Sequence, residues 1–412
     1  MALALTVARC MDLQYARQLD HFGYENRRNL AGNGHSTIHS QGLKHVSKSV
    51  HRFIGAVITS CLAIYGTLGC ASATVPARTS PSPSSGRAAT VGSDRSVEES
   101  QVRMVMSALA DDSMEGRMTG SRGSAKAATF IAQQMGAVGL VPAGDSGYFQ
   151  RVPIALTRRS NGQERLSLLT DFASLDTFPA DKRRPGLNVV GMIRGSDPVL
   201  AQQVVLVDAH YDHLGIGKPV NGDSIYNGAD DDASGTTAVI EIARAIAAGL
   251  RPKRTILFVA TTGEEVGLLG TRWFILHPPV ALTSIVSNLE IEMIGRPDSL
   301  AGGPGRAWLT GYARSTMGAM FTAAGLPIVA DARPSEHFFE RSDNIAYAQM
   351  GIPAHTLSTY NMHTDYHRPS DELSRIDFRH MTQVIQAGVG AVRILADGAI
   401  PQWNKDGRPA AQ

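Results

Sequence analysis

Acidic residues and histidines that could bind metal ions recur between residues 210 and 367 of this 412-residue chain. The stretch NGADDDASGT (227–236) places Asp230, Asp231 and Asp232 in a row, directly before an apolar segment. Carboxylates that converge repel one another, and burial raises their pKa values unless a counter-charge lies nearby. Two divalent cations that share one carboxylate would supply this charge and would activate a hydroxide between them. The residues therefore predict a site for two metal ions.

Zinc is the metal that these residue types favour. All three cysteines, Cys10, Cys61 and Cys70, lie in the first 70 residues, so the rest of the chain has no thiolate ligands. The ligands there must be His, Asp or Glu, a mixture that suits zinc. The sequence contains no HExxH, GxGxxG or Walker motif, and no GxSxG or SxxK motif supplies a nucleophile. We therefore expect a metal-activated water to be the nucleophile.

The elements that must position these residues follow from the apolar pattern. It predicts strands over 187–193, 203–210, 254–265, 283–295 and 351–358, and helices over 124–140, 233–250, 267–277 and 376–397. Apolar strands that alternate with helices indicate an α/β fold whose sheet is covered on both faces. Ligands of such folds bind at the C-terminal ends of strands, and the acidic residues and histidines lie at those ends.

Five short motifs resemble the successive motifs of the co-catalytic zinc aminopeptidases of metallopeptidase family 28. In chain order they are AHYDHLG, NGADDDASGT, TTGEEVGLLGT, EMIGR and HRPSDE. Two further segments, SMEGRMTGSRGSAKAATFIAQQM and RSDNIAYAQMGIPA, also resemble bacterial, leucyl-aminopeptidase-like members, so the resemblance covers about residues 100–397. It implies a three-layer α/β/α sandwich around a mostly parallel mixed sheet, with two zinc ions per chain.

The resemblance also implies a role for each matched residue. His210 would bind the first zinc, and Asp212, two residues further along, would orient it. Asp231 would bridge the two metal ions, and Glu265 would bind the second. Glu264 would act as the general base that takes a proton from the attacking water and returns it to the leaving amine.

Two of the implied ligands have a close competitor in the sequence. Glu292 is favoured because the MIGR motif anchors the match, but Glu290 lies on the same strand face and would be the ligand in another register. His367 is favoured because it lies four residues before Asp371, the usual spacing. His363 is then a residue beside the metal or on the substrate side, and Tyr366 is a second candidate for substrate binding.

The remaining acids and histidines have simpler interpretations. Asp232 is predicted to cap the helix that begins near Ala233, and Asp230 to be a solvated or loop-bracing acid. His213, His277 and His380 are predicted to be surface or core histidines rather than ligands. His337 and His355 have no assigned role.

The N-terminal part of the chain has the pattern of an export signal. Lys44, Lys48 and Arg52 precede an apolar run at 53–69 and small residues, which predicts a signal over 44–73. The sequence TLGC alternatively predicts a lipoprotein anchored through Cys70. Residues 1–43 are an unassigned extension, 74–100 a disordered linker, 101–400 the zinc peptidase domain and 401–412 a flexible tail.

The predicted function is that of an exported zinc aminopeptidase, located in the periplasm, in the medium or on the outer membrane, with peptides as its substrates. The net charge is only +2 and no basic stripe is present, so nucleic acid is not an expected partner. A membrane contact is expected only through the signal or Cys70. The alternatives are a glutaminyl cyclase or glutamate-type carboxypeptidase of the same fold, and a binding module that has lost catalysis.

Overall fold

A computed structural model describes residues 94–410 of the chain. The helices are α1 (Glu99–Leu109), α2 (Arg122–Val138), α3 (Phe172–Asp176), α4 (Gly235–Ala248), α5 (Leu269–Leu276), α6 (Met317–Ala323), α7 (Asn344–Gln349) and α8 (Phe378–Asp397). The strands are β1 (Val141–Pro142), β2 (Phe149–Val152), β3 (Ile154–Arg158), β4 (Glu164–Leu168), β5 (Gly186–Ile193), β6 (Val204–His210), β7 (Gly215–Val220), β8 (Asp223–Tyr226), β9 (Thr255–Thr261), β10 (Ile285–Glu292), β11 (Ala307–Leu309), β12 (Ile328–Ala330) and β13 (Ala354–Ser358).

A nine-stranded mixed sheet forms the middle layer, in the order β1-β5-β9-β6-β10-β13-β11-β12, with β2 also paired to β5. The four central strands β9, β6, β10 and β13 are parallel to one another, whereas β5 and β11 pair with this group antiparallel. Two hairpins, β3-β4 and β7-β8, lie outside the sheet. The C-terminal ends of the four central strands therefore meet at one edge, as expected for a ligand site.

Helices cover both faces because the central strands alternate between two apolar cores. In β6, Val205, Val207 and Ala209 pack in the larger core, which also contains residues of α1, α2, α4 and α8. Val204 and Leu206 of the same strand pack on the other side with Phe274 of α5 and Tyr347 of α7. The side-chain period of two then directs Asp208 and His210 toward the α5 and α7 side.

The predicted fold class is confirmed: the architecture is an α/β/α sandwich around a mixed sheet. Each predicted strand and helix is present, with ends that differ by a few residues. The sequence pattern did not predict the helices α1, α3, α6 and α7, the short strands β1 and β2, the two hairpins, or β11 and β12. All of them except the 11-residue helix α1 are short, and a short element has too few residues for its apolar period to be recognised.

Two of the predicted domain boundaries need correction within the described residues. Helix α1 begins at Glu99, and Asp94 forms an ion pair with the buried Arg393, so residues 94–100 are part of the body and not of the linker. Trp403 donates from Nε1 to the carbonyl of Gly351, at 2.9 Å, so the chain beyond residue 401 packs on the body.

The predicted extension, the export signal with Cys70, and the linker up to residue 93 lie outside the described residues. Among residues 94–410, no helix combines the length and the apolar character needed to cross a membrane.

Candidate metal centre

Two groups of ligand atoms meet at the C-terminal edge of the sheet. His210 is the last residue of β6 and Glu292 the last residue of the neighbouring β10, and Asp231 lies in the loop before α4. One ligand atom of each of these three residues lies within 4.8 Å of the other two. His213, Asp231 and Glu265 form a second group with the same spacing. Asp231 therefore belongs to both groups.

His367 completes the second group from the loop after β13. Its Nε2 atom lies 3.2 Å from Oδ2 of Asp231 and 3.2 Å from Oε2 of Glu265. The ring of Tyr366 stacks on its imidazole, with 3.9 Å between the ring centroids. The structure thus brings all five predicted ligands together: His210, Asp231, Glu265, Glu292 and His367.

Several atoms of this cluster have no hydrogen-bond partner among the described residues, although they are buried. They are Nε2 of His210, both ring nitrogens of His213, Oδ2 of Asp231 and Oε1 of Glu265. Nδ1 of His213 lies only 2.8 Å from Oε1 of Glu265, yet this contact does not have hydrogen-bond geometry. Each unpaired buried polar group costs about 1–3 kcal/mol, so the cluster needs a partner. A set of imidazole nitrogens and carboxylate oxygens with free lone pairs fits zinc.

The electrostatics of the cluster favour bound positive charge. Burial alone would lower the pKa of His210, but Glu264 and the nearby aspartates raise it well above the ordinary value. His367 behaves in the same way: burial lowers its pKa, and Glu265 and Asp231 raise it to about 10. Burial, reinforced by Glu290, raises the pKa of Glu292 to about 8. The cluster thus has an excess of negative charge that a cation would compensate.

The three consecutive aspartates have three different environments. The backbone N–H groups of Asp230 and Asp231 donate to the carboxylate of Asp371, at 3.0–3.1 Å, and this places the side chain of Asp231. Asp232 accepts from the N–H of Gly235, the first residue of α4, at 2.9 Å, so it contacts the helix start as predicted, although Ser234 is the residue at the N-cap position. It also accepts from Met293 N at 3.0 Å, so it ties this loop to the end of β10.

Asp230 braces the loop and is not solvated. It is fully buried, and its Oδ1 accepts from the N–H of Gly295 at 2.7 Å. Its Oδ2 lies 3.0 Å from Nε2 of His363. His363 therefore contacts a loop acid behind the cluster and belongs to neither group of ligand atoms.

Asp212 contacts His210 through its backbone carbonyl and not through its carboxylate. Nδ1 of His210 contacts the backbone carbonyl of Asp212 at 3.2 Å, whereas the Asp212 carboxylate is 3.9 Å away, beyond hydrogen-bond range. That carboxylate accepts instead from the hydroxyl of Thr119, at 2.8 Å, and from the N–H of Glu264, at 3.2 Å. Asp212 therefore contacts the imidazole of His210 through its backbone, because the chain turns after β6 and presents the carbonyl.

Glu264 lies beside the cluster without joining either group of ligand atoms. It lies in the loop after β9, just before a turn at 265–267, and its backbone N–H donates to the carboxylate of Asp212. Burial raises the pKa of its carboxyl well above the ordinary value; His210 opposes this shift and Glu265 adds to it. The Glu264 carboxylate is therefore not one of the ligand atoms, but it is close enough to them for their charges to change its pKa.

Glu290 is not in the cluster, because protein donors already occupy its carboxylate. It accepts from the hydroxyls of Ser342 and Thr356 and from the backbone N–H groups of Asp343 and Asn344. Glu292, two residues further along β10, is the carboxylate that the structure places in a ligand group.

Sequence reasoning missed the place of His213. It is buried, as expected of a core histidine, but it lies among the ligand atoms and not in the apolar core. Gly228 has φ +54°, and a Cβ there would lie 2.5 Å from Cγ of His213, so the glycine lets the loop close over this ring. His277 is exposed beside Trp273, and His380 accepts from the N–H of Gly305, so both match their predictions. His337 is exposed, and His355 is buried away from the cluster.

Sequence reasoning also missed Arg117, in the SMEGRMTG segment. Its guanidinium is fully buried and donates to the carbonyls of Tyr211 at 2.7 Å, Asn227 at 2.5 Å and Gly228 at 2.9 Å. It also donates to the carbonyl of Leu109 at 2.7 Å. Arg117 therefore connects the end of β6, the loop before Asp231 and the N-terminal helix α1.

The comparisons with known proteins agree with this site. Residues 188–390 match peptidase family M28. A probable zinc metalloprotease of Leptosphaeria maculans is 35% identical over 108 residues, which are 26% of this chain and 24% of that protein. Leupeptin-inactivating enzyme 1 of Streptomyces exfoliatus is 31% identical over 127 residues, 30% of this chain and 26% of that protein. The chain thus spans about a quarter of the length of these relatives.

Similarity to solved structures extends the agreement to the fold. A zinc aminopeptidase of Bacillus subtilis superposes with a TM-score of 0.54 at 15% identity, covering 77% of this chain and 98% of that one. The family match includes His210, Asp231, Glu265, Glu292 and His367, and the sheet places these residues in one cluster. The chain therefore belongs to peptidase family M28, as its five motifs predict.

Proposed function

We propose that this protein is an exported zinc aminopeptidase that removes residues from the free N-terminus of peptides. The observation that carries the proposal is the position of Asp231, whose carboxylate belongs to two groups of ligand atoms at once. A carboxylate that belongs to both groups could bind two metal ions held close together. The zinc metalloprotease names of relatives and the fold of a zinc aminopeptidase support it.

The ligand set divides between two zinc ions. His210 and Glu292 would hold one ion, Glu265 and His367 the other, and Asp231 both. When bound, the ions would polarise the scissile carbonyl and lower the pKa of a water at the site. The carbonyl of Asp212 fixes the ring of His210 by accepting from Nδ1, which leaves Nε2 as the nitrogen for the metal.

Glu264 is the general base of the proposed mechanism. Its carboxylate is outside both ligand groups, so it can accept a proton from the attacking water and pass that proton to the leaving amine. Asp212 accepts from the N–H of Glu264 and so fixes the backbone of the base relative to His210. Asp212 is therefore a positioning residue in this proposal, because it contacts both Glu264 and His210.

Export and the choice of partners also belong to the proposal. The signal pattern at 44–73 supports export, with an attachment to the membrane only through the signal or a lipid on Cys70. Peptides with a free amine are the proposed substrates, and nucleic acid is not a proposed partner.

Metal analysis of the purified protein, together with hydrolysis of aminoacyl p-nitroanilides, tests this function. We expect two zinc ions per chain, release of nitroaniline from substrates with a free amine, no release from N-acetylated substrates, and loss of activity with a chelator. The zinc count must fall in parallel with the activity during chelation.

The alternative functions give different results in the same assay. One zinc per chain with cyclisation of N-terminal glutamine would indicate a glutaminyl cyclase. Hydrolysis of N-blocked peptides that have a free carboxylate would indicate a carboxypeptidase. A protein that binds no metal and hydrolyses neither type of substrate would be a binding module, and the proposal would be wrong.

A further inference from the structure

A pocket with aromatic walls opens beside the metal centre, next to Glu292. Trp308 and Phe338 stack with 5.1 Å between their ring centroids, and Tyr360 packs edge-on against Phe338 at 5.8 Å. Tyr366, which stacks on His367, also lines the pocket. A side chain that enters this pocket therefore belongs to the substrate residue that lies against the ligand cluster. For an aminopeptidase, we take this residue to be the N-terminal one.

The pocket wall carries two charged side chains, Glu292 and Arg341. Glu292 is assigned to a metal ion, so its charge is compensated in the zinc-loaded protein. Arg341 then supplies the remaining full charge, and its guanidinium lies 5.1 Å from the centroid of the Phe338 ring. Cation–π contact positions a guanidinium without satisfying its hydrogen-bond donors.

Arg341 has no carboxylate partner within the part of the chain that the structure describes. The neighbouring arginines differ: Arg314 pairs with Glu340 at 2.8 Å, and Arg333 with Asp298 at 2.6 Å. A second donor on the pocket wall is also unpaired, because Nε1 of the buried Trp308 has no partner among residues 94–410. Arg341 is exposed, so the pocket presents a solvent-accessible cation and, in its aromatic wall, a buried N–H donor without a partner.

We propose that this pocket selects substrates whose N-terminal residue has an acidic side chain, with Arg341 as the residue that determines this specificity. The inference rests on the proposed aminopeptidase function and names its substrate class. The aromatic rings contact the methylene groups of a glutamyl or aspartyl side chain, and Arg341 donates to its carboxylate. Such charge-assisted hydrogen bonds are the stronger kind and depend on the ligand's charge.

Glutamyl and glutaminyl p-nitroanilides form the test pair, because they have the same shape and differ in charge. We expect kcat/KM of the zinc-loaded full chain to be higher for the glutamyl substrate. Arg341→Met should lower the ratio of the two kcat/KM values by about tenfold or more, the effect of losing a charge-assisted hydrogen bond. The change should be a higher KM for the glutamyl substrate. In Arg341→Lys, the ratio of the two kcat/KM values should lie between those of the wild type and Arg341→Met.

Arg103→Met is a matched control. Arg103 also lies over an aromatic ring, 4.0 Å from the centroid of Phe378, but it is exposed and belongs neither to the pocket lining nor to the groups of ligand atoms. This variant should keep the wild-type ratio. Zinc content and melting temperature should be the same in all the variants, which separates specificity from folding.

Three outcomes would overturn the inference. Equal kcat/KM values for the glutamyl and glutaminyl substrates, with ready hydrolysis of leucyl p-nitroanilide, would leave the aminopeptidase function intact and refute the acidic preference. An effect of Arg341→Met on acidic residues at the second position of dipeptides, and not at the first, would assign the pocket to the leaving side. No hydrolysis of any aminoacyl substrate would refute both the function and the inference.

Discussion

Strands β6 and β10 carry two successive layers of acidic or metal-binding residues, and the two layers have different environments. In the inner layer, Asp208 lies opposite Glu290 in the sheet register. In the outer layer, His210 and Glu292 lie two residues further along the same strands and on the same face. Both layers are buried or nearly so, and both contain carboxylates whose pKa values are raised.

The layers differ in where their hydrogen bonds come from. In the inner layer, Asn288 donates to Oδ1 of Asp208 at 2.5 Å, and Glu290 has two hydroxyl and two backbone donors. Of these four carboxylate oxygens, only Oδ2 of Asp208 has no partner among the described residues. In the outer layer and its neighbours, ring nitrogens and carboxylate oxygens face one another without such donors. A buried acid with a single unpaired oxygen therefore does not indicate a metal site, whereas several unpaired imidazole nitrogens and carboxylate oxygens that converge do.

Replacement of the shared ligand should have the largest effect. Asp231→Ala should lose bound zinc and reduce kcat/KM by at least about a thousandfold, because several kcal/mol of transition-state stabilisation depend on the ions. Elemental analysis and leucyl p-nitroanilide hydrolysis measure both. Asp208→Asn, in the inner layer, is the control and should keep its zinc. If Asp231→Ala retains two ions, the comparison between the layers fails.

Replacement of the base should separate catalysis from metal binding. Glu264→Gln should keep the wild-type zinc content and reduce kcat by about 10²–10⁴-fold, the range for loss of a general base. Steady-state kinetics and elemental analysis of the same sample check this. A variant with wild-type kcat would show that Glu264 is not the base, and one without zinc would place it among the ligands.

The two glutamates of β10 offer the sharpest test of the layers. Glu290→Gln should destabilise the protein by about 2 kcal/mol, because an amide cannot accept from all four donors, and zinc should remain bound. Urea unfolding of zinc-loaded and chelated protein measures this. Glu292→Gln should show the opposite pattern, with weaker zinc binding and no loss of stability in the chelated protein. Identical behaviour of the two variants would contradict the assignment.

His213 should give the smallest of these effects. His213→Gln should weaken zinc binding by about tenfold, the lower end of the range for residues that support metal ligands, because its Nδ1 lies beside Glu265. Competition with a chromogenic chelator measures the affinity. His277→Gln, at an exposed ring, is the control. An unchanged affinity in His213→Gln would make this histidine a packing residue, as the sequence first suggested.

The fold and the five candidate ligands could be predicted from the sequence, because they depend on local patterns. Long apolar strands predict a central sheet. A residue at the C-terminal end of such a strand must lie at the edge of the sheet where the strands end. The position of His213 depends on how the loop after β6 closes against Gly228, which no periodicity encodes. Likewise, the choice of the Asp212 carbonyl over its carboxylate depends on the exact direction of a turn.

Glu290 and Glu292 show a second limit of sequence reasoning. Both are glutamates on one strand face, and their chemistry is decided by Ser342, Thr356 and two backbone N–H groups from elsewhere in the chain. Long-range donors of this kind are not visible in a strand pattern. The same is true of Arg117, whose carbonyl partners at Tyr211 and Asn227 lie about a hundred positions away.

The four carbonyl contacts of Arg117 determine which part of the chain must be transferred to another protein for the metal centre to keep its structure. The segment that matches the family begins at residue 188. The loop that carries Asp231 is nevertheless bound by the guanidinium of Arg117, which lies about seventy positions before residue 188. Thr119, which donates to Asp212, also lies before that segment. A graft of residues 188–390 into another protein would therefore transfer every zinc ligand and leave behind the side chains that shape their loop. The smallest transplantable unit begins ahead of Arg117.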